Sequence, residues 1–89
     1  MFGSWGMETP ARYTEEELRK ILAALDDSDK YGMVLRSKGM LATPEGSWLH
    51  FDYVPEETEV RCGAADVTGK ICVIGSGLKE DALADLFRK

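Results

Sequence analysis

The sequence predicts an α+β fold: a mainly antiparallel sheet of four to five strands with two helices packed on one face. Four segments of strand-like composition follow one another between residues 31 and 76, separated by short turn sequences. An amphipathic helical segment stands on either side of this block. Strands grouped between two helices are typical of an antiparallel sheet whose helices lie together on one face.

The first part of the chain predicts a strand followed by a capped helix. Residues 2–9, FGSWGMET, are rich in Gly and aromatic side chains and are expected to form a short strand. Thr14 and Glu17 have the spacing of a capping box, in which Thr caps the first turn and Glu reaches back to it. Apolar residues then recur at helical spacing, so residues 15–26 are predicted to be helical, with DDSDK ending the helix. These apolar residues are Leu18, Ile21, Leu22 and Leu25.

The remainder predicts four strands and a second helix. The turn sequences TPEG, PEE and DVTG separate the strands, which are expected at 31–42, 47–54, 58–65 and 70–76. Leucines at helical spacing from Leu78 onward predict a helix that runs to the C-terminus. The expected element order is β-α-β-β-β-β-α.

Alternation along each strand predicts which side chains share a face. Leu49, Phe51 and Tyr53 form the natural core side of the third strand. In the second strand, Arg36 and Lys38 are expected to share a side with Val34 and Met40. The apolar run ICVI at 71–74 is expected to belong to a central strand buried on both faces.

Two helices cannot cover both sides of such a sheet, so one side, called here the open face, is expected to remain partly bare. An exposed Trp among mixed charges makes this open face a candidate contact surface; a solvated outer face is the simpler alternative. The residues expected on it are Arg36, Lys38, Trp48, His50, Asp52, Glu59 and Arg61.

Composition restricts the class of function. The 89 residues are expected to form one domain, residues 1–89. A net charge of −5 argues against a nucleic-acid-binding face and against binding to an anionic membrane. No apolar run approaches the ~20 residues of a membrane span, and the first residues do not have the pattern of a signal peptide. Two cysteines are too few for a disulfide framework, so a cytoplasmic location is expected.

The chemistry-bearing residues suggest few sites. One His without a convincing Ser or Cys partner predicts no catalytic residues. Cys62, Cys72 and His50 are candidate metal ligands, but nine residues separate the cysteines. They would lie together only if 58–65 and 70–76 formed a hairpin with an odd loop length. Two buried structural cysteines are the alternative. Arg36 and Lys38 fit either an acidic partner or cross-strand ion pairs with Asp52 or Glu59.

Three motifs along the chain together resemble a known family. These are an R-x-K-G strand, a W-x-x-F strand and a V-I-G strand end followed by leucines. The matching residues are Arg36, Lys38 and Gly39; Trp48 and Phe51; Val73, Ile74, Gly75, Leu78 and Leu83. In order and spacing they resemble the C-terminal domain of CobW-type GTPases over nearly the whole chain.

The resemblance implies a part of a GTP-dependent metallochaperone, a family linked to cobalamin cobalt or zinc supply. The nucleotide site and the Cys-rich metal motif of that family belong to an N-terminal P-loop domain. This sequence has no G-x-x-x-x-G-K-[ST], and VTGK at 67–70 lacks the upstream Gly. The chain is therefore expected to be the C-terminal piece of a larger GTPase. It is expected not to be an enzyme itself and to hold no cofactor, with zinc or cobalt belonging to the parent protein.

The resemblance also implies partners. The N-terminal GTPase domain of the same protein, or a client metalloprotein, is expected to cover the open face. Its expected contacts are Arg36, Lys38, Trp48, His50 and Arg61. The alternative is that the domain itself binds zinc or cobalt through Cys62, Cys72 or His50.

Overall fold

The structure is a computed structural model and describes residues 2–88. Five strands and three helices follow one another in the order β1-α1-α2-β2-β3-β4-β5-α3. The bounds are β1 Phe2–Thr9, α1 Glu15–Ala24, α2 Ser28–Tyr31, β2 Met33–Ala42, β3 Trp48–Val54, β4 Glu57–Cys62, β5 Gly69–Ser76 and α3 Glu80–Phe87. The predicted α+β class and antiparallel sheet are confirmed, and the element order differs from the predicted one by the additional short helix α2. The prediction that α3 runs to the C-terminus was wrong at Arg88, because the helix ends at Phe87 and Arg88 is extended; Lys89 lies outside the described residues.

The five strands form one sheet in the order β1-β5-β2-β3-β4. Every neighbouring pair is antiparallel. Because β5 is antiparallel to both of its neighbours, β1 and β2 run parallel to each other on either side of it. The helix α1 therefore connects two parallel strands that are separated by the last strand of the chain, which is a split β-α-β arrangement.

The helices lie on one face of the sheet and enclose the core with it. Leu18 and Leu22 of α1 and Leu83 of α3 are fully buried there. Trp5 of β1 stacks on Phe87 of α3 with ring centroids 6.0 Å apart. Burial of each such side chain stabilises the fold by roughly 1.5–3 kcal/mol. The sheet contributes Leu41, Leu49, Phe51, Tyr53, Ile71 and Val73 to this core.

The start of α1 follows the sequence prediction. The Glu17 N–H donates to Thr14 Oγ1 at 3.1 Å, and the Thr14 N–H donates to Glu17 Oε1 at 2.9 Å. The capping box is therefore formed as expected. The single turn α2 was not predicted: Asp27 caps it by accepting from the Lys30 N–H. No helix within residues 2–88 has the length and apolar character needed to cross a membrane.

A β-bulge in β2 corrects one predicted face. The pairing of β2 with β5 shifts register between Val34 and Arg36. The extra residue, Leu35, reverses the alternation, so Val34 points into the core while Arg36 and Lys38 point away from it. The prediction that Val34 shares a side with Arg36 was therefore wrong.

The prediction for β5 was wrong in a similar way. The strand lies in the interior of the sheet, between β1 and β2, as expected, but only one of its faces is covered. Ile71 and Val73 are buried beneath the helices, whereas Ile74 on the other face is 39% exposed. Because all the helices lie on one side of the sheet, an interior strand such as β5 is buried on one face only.

Two glycines allow β2 and β5 to approach each other closely. A Cβ atom on Gly39 would lie 2.1 Å from the carbonyl oxygen of Lys70. A Cβ atom on Gly75 would lie 2.1 Å from the carbonyl oxygen of Met33. Both contacts are with backbone, which cannot move aside as a side chain could. Glycine at these two positions is therefore required by the pairing of β2 with β5.

We expect Gly39→Ala to lower the free energy of unfolding by about 1–3 kcal/mol, because the added methyl group must push two paired strands apart. Gly3→Ala in β1 is the matched control, since a Cβ there would meet nothing within 4 Å. Urea denaturation measures both. Equal stability of the two variants would contradict the close approach.

The core face also contains a hydrogen bond between a buried tyrosine and a helix-end carboxylate. The Tyr53 hydroxyl donates to Asp26 Oδ1, just after α1. Burial raises the pKa of Tyr53 well above its ordinary value of 10.0, and the hydrogen bond and charge of Asp26 raise it further. Since the folded state holds this proton more tightly than the unfolded state, the resulting stabilisation is present below pH 10 and is lost as pH rises further.

Tyr53→Phe tests this pH dependence. We expect the variant to be less stable than the wild type by about 1–2 kcal/mol at pH 7, because one hydrogen bond to a carboxylate is lost. The difference should shrink as pH rises above about 10, where the unfolded tyrosine ionises. Chemical denaturation at a series of pH values measures it. A difference that stays constant up to pH 11.5 would show that Tyr53 does not cause the alkaline destabilisation.

Candidate functional site

The open face presents its side chains in rows that run across the strands. In one row, called here the Met40 row, each residue is paired in the strand register with the next residue of the row on the neighbouring strand. It consists of Glu8, Lys70, Met40, His50 and Arg61. The adjacent row, the Lys38 row, consists of Gly6, Cys72, Lys38, Asp52 and Glu59. The rows are two residues apart along each strand, about 6.8 Å.

The five residues predicted to contact a partner are all on the open face or at its end. Arg36 and Lys38 project from β2, His50 from β3 and Arg61 from β4. Trp48, at the start of β3, lies opposite Ala42 and is half-buried. Their positions agree with the predicted faces, and their binding role remains a prediction.

Most charges on the open face are paired. Nε and Nη2 of Arg36 donate to the two carboxylate oxygens of Asp52 at 3.3 and 2.8 Å. These hydrogen bonds and the charge of Asp52 raise the pKa of Arg36. Arg61 lies 3.5 Å from a carboxylate oxygen of Glu59. The cross-strand alternative is therefore what the structure shows for Arg36, and such exposed pairs contribute little to stability because solvent screens them.

Lys38 differs from these arginines. Its side chain is exposed on β2 and makes no hydrogen bond or ion pair with any residue of the range 2–88. The nearest carboxylate by register is Asp52, directly across the strands, but that group is already bound to Arg36. The ammonium of Lys38 is therefore available to a ligand from outside the domain.

His50 anchors the connection from β4 to β5. This six-residue loop, residues 63–68, passes from β4 at the edge of the sheet to β5 in its interior. His50 Nε2 lies 2.9 Å from the carbonyl oxygen of Ala64. The ring packs so closely on Gly63 that a Cβ atom there would lie 2.4 Å from it. A carbonyl oxygen can only accept, so Nε2 of His50 carries the proton in this contact.

The same loop contains an acidic residue, Asp66, close to the open face. The Val67 N–H donates to Asp66 Oδ1 at 2.6 Å, and Lys70 Nζ lies 3.4 Å from Asp66 Oδ2. The hydrogen bond from Val67 holds the pKa of Asp66 below its usual range, and the charges of Lys70 and His50 contribute in the same direction. Asp66 is therefore ionised at neutral pH and is the counter-ion of Lys70.

A shallow depression of about 340 Å³ lies in the middle of the open face. Its lining includes Met40 and parts of both rows. Residues of four strands line it: Lys38, Gly39, Met40, His50, Phe51, Asp52, Arg61, Lys70, Ile71 and Cys72. Three cationic side chains and one carboxylate thus line it together with the thioether of Met40.

The two cysteines are not brought together. Strands β4 and β5 do not form a hairpin, because β2 and β3 lie between them. Cys62 pairs with Leu49 on the core side of the sheet but is exposed at its edge. Cys72 lies on the open face, opposite Lys38. The condition for a two-cysteine site is therefore not met, and the alternative of two buried cysteines is wrong for Cys62.

His50 and Cys72 do share the central depression, but the strand β2 separates them. Within the described part of the chain, no three His, Cys, Asp or Glu side chains are placed to hold a metal ion together. The three lining cations also oppose a bound cation, because like charges at such distances repel.

Lys70 and Cys72 were missed as open-face residues. Alternation along β5 contains the signal: Ile71 and Val73 take one side, and Lys70, Cys72 and Ile74 take the other. Treating the apolar run as buried on both sides concealed it. Met40 was assigned to the correct side, but its central position depends on strand order, which periodicity does not reveal.

Comparison with known proteins agrees with this architecture of a five-stranded sheet with helices on one face. The profile of the family described as "Cobalamin synthesis protein cobW C-terminal domain" matches residues 2–89. The chain belongs to this family, and the resemblance found in the three motifs is confirmed. No curated protein sequence matches the chain.

Two similar solved structures show the same fold. One is the Zn(II)-bound YjiA GTPase from E. coli, with a TM-score of 0.78 and 23% identity, covering 99% of this chain and 30% of that one. The other is a Zn(II)-bound triple mutant of YjiA GTPase, with a TM-score of 0.77 and 21% identity, covering 97% and 28%. The chain thus spans less than a third of the length of these structures.

We expect neutral His50 to be in the Nε2–H form, because Nε2 faces a carbonyl oxygen. Long-range ¹⁵N–¹H NMR of the labelled protein distinguishes the two forms at a pH where the ring is neutral. Gly63→Ala should displace the ring and give a mixture of both forms, whereas Gly3→Ala should leave the spectrum of His50 unchanged. A dominant Nδ1–H form in the wild type would contradict the anchoring role.

Proposed function

We propose that this chain is a non-catalytic accessory domain of a CobW-type, GTP-dependent metallochaperone, and that its open face docks the GTPase domain of the same protein. Family membership supports the first part. The second part rests on one observation: an entire sheet face carries no helix and displays Trp48, Lys38 and an exposed Ile74. A patch that combines an aromatic residue, exposed apolar surface and cations has the composition of a protein contact.

The absence of catalytic chemistry in the sequence supports an accessory role. The sequence contains no P-loop, and its one His is occupied with the Ala64 carbonyl. The structures of similar fold are titled as GTPases and are more than three times as long as the part that matches. A domain of this kind contributes binding surface to the larger protein, and the GTPase domain contributes the nucleotide chemistry.

The double variant Trp48→Ala, Arg36→Glu tests the docking. We expect it to weaken binding to the separately produced GTPase domain of the parent protein by at least about tenfold, because an aromatic anchor is removed and a charge is reversed. Isothermal calorimetry measures the binding. Thermal unfolding followed by circular dichroism checks that the domain remains folded.

Lys20→Glu is the matched control, since it reverses a charge in the helix layer, where Lys20 pairs only with Glu16. It should not alter the affinity. Unchanged binding by the double variant would reject docking through the open face. Unchanged binding to the GTPase domain together with weakened binding to a client metalloprotein would assign the face to the client.

A further inference from the structure

We propose that the depression around Met40 binds a carboxylate side chain, Glu or Asp, of the docking partner, with Lys38 as the main cation that pairs with it. This inference rests on the proposed docking function and identifies the chemistry that the partner presents. The occupant is an acidic segment of a protein, and not a metal ion or a free anion.

The charge of the depression opposes that of the rest of the domain. The chain carries a net charge of −5, yet Lys38, Arg61 and Lys70 line the depression against a single carboxylate, Asp52. Asp52 is neutralised by Arg36, with one contact of 2.8 Å. Arg61 and Lys70 are likewise balanced by neighbouring carboxylates. The unbalanced positive charge of the depression is therefore that of Lys38, and it favours an anion there although the domain as a whole repels one.

The three cations are unequally engaged. Arg61 and Lys70 have carboxylate neighbours at 3.5 and 3.4 Å, whereas Lys38 has none within residues 2–88. Lys38 also lies next to Met40 in the register of the sheet, one row away. An incoming carboxylate would therefore meet one unpaired ammonium, that of Lys38, and two cations that already pair with carboxylates.

The lining indicates a side chain in preference to a small anion. Met40 lines the depression from β2, the middle strand of the sheet, and the buried residues Phe51 and Ile71 also contribute to its wall. A free phosphate prefers several N–H donors or cations converging on it. Glutamate matches this lining better, because its methylene groups can lie on Met40 while its carboxylate reaches Lys38. The partner's chain would then run over the sheet.

The first test is a ¹⁵N NMR titration of the domain with acetylated, amidated Glu-Leu-Glu-Leu-Glu. We expect shifts centred on Lys38, Met40 and Cys72, with a dissociation constant of about 1 mM or weaker, to which the exposed charge pair contributes only a part and the contact of the peptide with the sheet the rest. The Gln-Leu-Gln-Leu-Gln peptide should cause no comparable shifts. Shifts of equal size with both peptides, or with neither, would overturn the proposal. Equal shifts with inorganic phosphate would overturn it in favour of a small-anion site.

Lys38→Met identifies the cation. It should weaken binding of the Glu peptide about fivefold, whereas Lys20→Met, which removes the same charge from the helix layer, should have no effect. Unchanged affinity of Lys38→Met would overturn the proposal.

The docking assay separates this inference from the proposed function. If the Trp48→Ala, Arg36→Glu double variant loses docking while Lys38→Met docks normally, the docking function stands and this inference fails. If the double variant docks normally but the Glu peptide still binds at Lys38, the docking function fails and the carboxylate site stands.

Discussion

The close pairing of β2 with β5 is the constraint on which the rest of the structure depends. The last strand of the chain lies between the first two, so β1 and β2 are joined only through it. This insertion is possible because Gly39 and Gly75 place no side chain where the two backbones meet. Both glycines belong to motifs of the family, and the pairing gives them a structural explanation that requires no ligand.

The same arrangement produces the open face and its depression. Because all three helices lie on one side of the sheet, the interior strand β5 displays Lys70 and Cys72 on the open face, beside Lys38 and Met40 of β2. The bulge at Leu35 is equally important, because it lets Val34 point into the core while Arg36 and Lys38 of the same strand point to the open face. A single extra residue therefore allows β2 to contribute to the core at its start and to display its cations further along. Which side chains meet at the candidate site thus depends on the register of the strands as much as on the residues they contain.

Much of the fold could be predicted from local patterns, and the site only partly. The capping box located α1, and alternation along β3 separated Leu49 and Phe51 from His50 and Asp52, because both patterns act within one element. Strand order, the bulge and the sharing of one depression by Cys72 and His50 depend on contacts between residues distant in sequence. Local periodicity contains no information about such contacts, so the hairpin considered for the cysteines was not found.

The outer strand β4 has a further consequence, for the behaviour of the protein at high concentration. Its outer backbone N–H and C=O groups pair with no strand among residues 2–88, so another chain could extend the sheet there. Glu57, Glu59 and Arg61 stand along this edge, and charged side chains on an outer strand disfavour its pairing with a second copy because they would have to lose water. The charges that frame the open face therefore also protect the domain from edge-to-edge aggregation. A partner that binds beside β4 would have to pair with the charged side chains of this strand as well as with the cations of the open face.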